Sequence, residues 1–141
     1  MIMSYYKAFY HLHFFNRGFL WRKEQIDYDS DRMFFANDHV EALKWALDSG
    51  ISMGLVPVNT IGDIRVNLLR VTFGSERLDL GSMLEEALKK DNEHVLIRMF
   101  RLSMPPNSIT PKDDYVQITI SGSLKKAYER EVKRELKLLH H

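Results

Sequence analysis

The 141-residue chain contains no cysteine, only four prolines, seven scattered glycines and almost no net charge. Without cysteine there is no disulfide framework, no thiolate zinc site, no iron–sulfur cluster and no cysteine nucleophile. With 20 Lys+Arg against 19 Asp+Glu, the chain has no global field to draw in nucleic acid or an anionic membrane. The balance also holds locally: residues 1–70 carry 8 basic and 8 acidic side chains, and residues 71–141 carry 12 and 11. No uncharged apolar run approaches the roughly 18 residues of a membrane helix. The start, Met1-Ile2-Met3-Ser4-Tyr5-Tyr6, has no basic segment ahead of an apolar one and does not read as a secretory signal. The expectation is a cytoplasmic protein that enters no membrane.

The missing motifs narrow the chemistry further. Neither G-x-x-x-x-G-K-[ST] nor G-x-G-x-x-G occurs, so no loop has the bare backbone that wraps a phosphate or pyrophosphate. There is no G-x-S-x-G elbow and no H-E-x-x-H helix. No cofactor and no metal is expected.

What is present is apolar and aromatic. The chain is 45% hydrophobic and 11% aromatic, enough for a packed core without staples. Its length is that of one domain spanning 1–141.

Residues 4–15, rich in aromatics and without a capping signal, predict a strand. Asn16-Arg17-Gly18 reads as a three-residue hairpin loop with Gly in the left-handed position. Residues 19–28 return as a second strand, and residues 32–36 form a short third one. Asp38 with Glu41 three residues on starts a helix that carries Val40, Leu43, Ala46 and Leu47 and stops at Gly50. Residues 51–62 read as a loop or short strand. Residues 63–73 predict a long strand, 79–91 a second helix, 94–104 a strand and 115–120 another. The three prolines at 105, 106 and 111 mark a loop between the last two. Ser123 caps a last helix running to about Leu139, with Leu124, Tyr128, Val132 and Leu136 at i+4 spacing. The sum is an α+β sandwich: a mainly antiparallel sheet, about three helices on one face, an aromatic N-terminal hairpin and a long amphipathic C-terminal helix.

Four constellations carry possible chemistry. His11-Leu12-His13 places two imidazoles on one face of a strand, where both can reach one ion, but no carboxylate follows at the spacing of a barrel metal site. Asp27-Tyr28-Asp29-Ser30-Asp31 matches the first positions of a calcium loop, but Arg32 occupies the place that needs glycine, and an acidic turn between strands is the plainer reading. The last helix has six cations (Lys125, Lys126, Arg130, Lys133, Arg134, Lys137) against Glu129, Glu131 and Glu135, a mixed pattern typical of a solvated face. His140 and His141 are given no weight.

The fourth is the hairpin. With the loop at residues 16–18, His13 falls opposite Trp21, His11 opposite Lys23, Phe9 opposite Gln25 and Lys7 opposite Asp27. Tyr6, Ala8, Tyr10, Leu12, Phe14, Leu20, Ile26 and Tyr28 then form the core face. The other face carries Lys7, Phe9, His11, His13, Trp21 and Lys23, an aromatic platform mixed with cations. Unless a helix or loop covers it, that face fits a protein interface. The leading expectation is therefore a non-enzymatic binding or assembly module, with a protein partner or a homodimer met at this face. One alternative is nucleic-acid association, with rings stacking on bases and lysines on phosphates. Another is a small-molecule enzyme using His11, His13 or His94 as acid/base groups, with Asp27 or Glu93 nearby in sequence.

Overall fold

The structure is a computed structural model that describes residues 4–89, 100, 102–105 and 107–140. It opens on two long strands, β1 (Ser4–Arg17) and β2 (Lys23–Ala36), followed by helix α1 (His39–Leu55). Then come β3 (Thr60–Phe73), the two-residue β4 (Glu76–Arg77) and helix α2 (Leu80–Lys89). β5 (Ile109–Pro111), β6 (Val116–Ile120) and helix α3 (Gly122–Leu139) complete it. Every strand pairing is antiparallel, in the order β2-β1-β3-β6-β5, with β4 paired to the end of β3. This is an α+β fold with a six-stranded sheet, three helices and a long C-terminal helix, as the sequence predicts.

The core lies between the sheet and α1. Alternate residues of β1 (Tyr6, Ala8, Tyr10, Leu12 and Phe14) are buried, with Ile64, Val66 and Leu68 of β3 and Ile118 and Ile120 of β6 beside them. Burying side chains of this size contributes about 1.5–3 kcal/mol each. The Tyr10 hydroxyl donates to the Ala46 carbonyl of α1 at 2.6 Å, which satisfies a phenol with no access to water. Burial also drives that phenol's pKa well above its ordinary value.

Several local expectations are corrected. Gly50 does not end α1, which runs on through residues expected to be loop. A Cβ at Gly50 would meet Ile118 at 2.7 Å, and one at Gly54 would meet Ile120 at 2.6 Å. These glycines let the helix backbone lie close on the sheet, so they serve packing rather than termination. The last helix begins two residues earlier than expected, and its cap is Ser121, whose hydroxyl accepts from the Leu124 amide at 3.1 Å. Of the strand expected over 94–104, residues 94–99 and 101 lie outside the described residues, and Phe100 and 102–104 are not in a strand. The expected separate strand at 32–36 is the end of β2.

The largest correction concerns the hairpin. Asn16 and Arg17 stay in the ladder, paired with Glu24 and Lys23, and the turn moves out to residues 18–22. It is closed by the Gly18 amide donating to the Arg22 carbonyl at 2.7 Å. Gly18 is not left-handed; that conformation falls on Leu20 (φ 59°) and Trp21 (φ 65°). The register moves with the turn. His13 faces Asp27 instead of Trp21, His11 faces Asp29, Phe9 faces Asp31 and Lys7 faces Met33. The shift is an even number of residues, so each side chain of β1 keeps its expected face.

Candidate functional site: the open sheet face

Helices α1 and α2 pack together on the core side of the sheet. The other side of β1, β2, β3 and β6 has no buried residue among those described. Its centre is the row of β1 side chains Lys7, Phe9, His11, His13 and Phe15. Asp27, Asp29 and Asp31 of β2 stand along one flank, and Arg65, Asn67 and Arg70 of β3 along the other. The acidic run is therefore no turn and no calcium loop. Its D-x-D-x-D spacing is the period of a strand, and it lines three carboxylates along one face.

The imidazoles are held by those carboxylates. His11 Nδ1 lies 2.8 Å from Asp29 Oδ1, and His11 Nε2 lies 3.1 Å from Asp27 Oδ1. His13 Nδ1 lies 2.9 Å from the same Asp27 oxygen, and the Gln25 amide donates to the other Asp27 oxygen at 2.7 Å. Ionised carboxylates only accept, so this geometry favours the doubly protonated ring, which can donate from both nitrogens. The hydrogen bonds to Asp29 and then Asp27 push the His11 pKa above its ordinary value. In return, the bonds from Gln25, His13 and His11 hold the Asp27 carboxyl down to about 2. Among the described residues, no group of three or more His, Cys, Asp or Glu is placed to hold a metal ion.

Cations on this face lie against rings. Arg70 sits 3.9 Å from the Phe9 ring centroid, with the Lys7 amine at 5.1 Å, and the Lys23 amine lies 4.1 Å from the Phe15 ring. Lys7 also pairs with Asp31 at 3.7 Å. Thus the structure brings together Lys7, Phe9, His11, His13 and Lys23. It separates Trp21, which stands at the hairpin tip with Arg17 4.9 Å from its ring centroid. Phe19, Leu20 and Trp21 are 82%, 75% and 77% exposed there. A bulky residue in the left-handed region costs about 1–2 kcal/mol, so the tip displays apolar side chains at the expense of stability. His94 and Glu93 lie outside the described residues.

Two features escaped the sequence reading. A cleft of about 770 Å³ at the start of α1 is lined by Tyr6, His39 and Phe73 together with Asp38, Glu41 and Lys44. In it the Tyr6 hydroxyl meets His39 Nδ1 at 2.9 Å. Lys125, only 3% exposed, donates to the Leu55 carbonyl, the last of α1, and so ties the start of α3 to a helix C-terminus. Burial lowers its pKa. The pairing of Tyr6 with His39 had no short-range signal, because 33 residues separate them. Neither feature adjoins the histidine pair.

Comparison of the chain with known protein families, with curated proteins and with solved structures finds no match. Among the described residues, no helix is long and apolar enough to cross a membrane.

Proposed function

We propose that the protein is a non-enzymatic assembly module that pairs with a second copy of itself through the open face of its sheet. The observation that carries this reading is the face itself: four neighbouring strands, aromatic in their central row, left without cover among the described residues. Ten residues on each of β1, β2 and β3 with the five of β6 have a planar area of roughly 550 Å², taking about 4.8 Å per strand and 3.3 Å per residue. With side-chain relief added, it is of the order of the roughly 800 Å² that each partner contributes to a stable interface. Phe9 and Phe15 supply ring area, and Arg70, stacked on Phe9, is of a residue type enriched at protein interfaces.

The nucleic-acid reading draws less support, since three aspartates share this face with the cations and would repel phosphates. The enzyme reading draws less as well. His11 and His13 have their orienting carboxylates, but they stand on a sheet face and not in the cleft lined by Tyr6 and His39.

Sedimentation velocity over a dilution series tests the proposal. The expected result is a mass that moves from monomer to dimer as concentration rises. A monomer throughout the series, up to roughly millimolar protein, would overturn it.

A further inference from the structure

The register of the sheet places charges in rows across the strands. On the open face His13 of β1 stands between Asp27 of β2 and Arg65 of β3. Four residues earlier in β1, Phe9 stands between Asp31 and Arg70. Read from β2 to β3, each row is acid, ring, base. Such a row turned over and laid on its own copy sets acid on base and ring on ring.

One symmetry operation does this for both rows at once. A two-fold axis parallel to β1, lying between two copies, preserves position along the strand and reverses the order β2-β1-β3. It brings the two open faces together, with β1 over β1. We infer that two copies are seated by such an axis, pairing Asp27 with the partner's Arg65 and Asp31 with the partner's Arg70. This rests on the assembly reading above and adds the geometry that makes the face complementary to itself. Stacked sheets lie about 10 Å apart, a gap that an aspartate and an arginine reaching toward each other can span. The axis also sets both hairpin tips at the same end, so Trp21 of each copy neighbours its counterpart. Exposed ion pairs add little affinity, but they select one register over others, and that is their part here.

Crossed charge reversal tests the seating. One variant carries Asp27→Arg and Asp31→Arg, the other Arg65→Asp and Arg70→Asp. All four positions are exposed; Asp27→Arg also removes the acceptor of His11, His13 and Gln25, so circular dichroism checks that each variant folds. Each variant alone sets like charges against like, and its self-association is expected to weaken by about tenfold or more. An equimolar mixture of the two restores acid on base in every pair and is expected to dimerise about as tightly as the wild type. Should either double variant fail to fold, the single pair D31R and R70D gives the same crossed readout. A wild type that dimerises while the variants dimerise equally well, or a mixture no tighter than its components, overturns this seating and leaves the assembly reading standing. Those outcomes point instead to pairing through the strand edge, the hairpin tip or α3. A wild type that never dimerises overturns both.

Discussion

The two faces of β1 differ by a single residue step along one backbone. Tyr6, Ala8, Tyr10, Leu12 and Phe14 point to one side and are buried. Lys7, Phe9, His11, His13 and Phe15 point to the other, and none is buried. Both sets are rich in rings, so aromatic content does not decide which one becomes core. Two things outside the strand do. Gly50 and Gly54 let α1 settle against one face at backbone distance. On the other side, the carboxylates of β2 and the guanidiniums of β3 flank the central row, and burying them under a helix would demand a partner for every charge. A sheet face stays open when its flanks are charged, even where rings stand in its middle row.

Substitutions on adjacent residues put that contrast to measurement. Leu12→Ala on the covered face should cost about 3 kcal/mol of stability in denaturant unfolding, since it empties a fully buried site. His13→Ala, next along the same strand, should cost less than about 1 kcal/mol and show its main effect in dimer mass. Equal costs at the two positions would mean that the open face is core after all.

The hairpin tip gives a smaller effect of opposite sign. Leu20 and Trp21 are left-handed, and the Arg22 amide donates back to the Phe19 carbonyl at 3.3 Å. Asn and Gly suit two such positions in a hairpin turn. Leu20→Asn with Trp21→Gly should therefore raise stability by about 1 kcal/mol while weakening self-association. A gain in stability with unchanged dimer mass would remove the tip from the interface.

The smallest effect lies in the pH dependence of the open face. The raised His11 pKa means that its bonds to Asp29 and Asp27 stabilise fully below the ordinary imidazole value of 6.5 and are lost as pH rises through the raised value. Asp27, held at about 2 against an ordinary 3.8, contributes above 3.8 and loses its contribution as pH falls toward 2. Both act together between about pH 4 and 6.5. Thermal melts across pH should show the wild type losing stability above that window, and His11→Asn should flatten this upper flank. A His11→Asn profile parallel to the wild type above pH 6.5 would show that the imidazolium contributes nothing.

Much of this architecture was legible in the sequence, for reasons that differ by element. The alternation through β1 is local and named the buried set correctly. The same holds for β6, whereas of the four i+4 residues of α3 only Leu124 is buried and Leu136 is exposed. The register of the hairpin was not legible, because Asn16-Arg17-Gly18 resembles a turn while the ladder continues through Asn16 and Arg17 to a turn built on Leu20 and Trp21. Nor was the end of α1. A glycine that stops a helix and one that admits a close neighbour look alike until Ile118, some seventy residues away, is placed against it. The histidine–aspartate network follows from the register, so it was out of reach for the same reason. One clue was available, the two-residue period of Asp27, Asp29 and Asp31, which a strand explains as well as a turn does.

That aspartate column has a further consequence at the margin of the sheet. β2 is a fourteen-residue outer strand, long enough to template growth by adding a copy of itself strand to strand. Antiparallel pairing centred on Asp29 would set Asp29 against Asp29 and Asp27 against Asp31, three like-charged contacts in succession. The carboxylates that give the face its complementary flank thus disfavour pairing at the edge. Either contact, edge to edge or face to face, is used up after two copies, so the two compete for the same pair of molecules. The strand weights that choice toward the face.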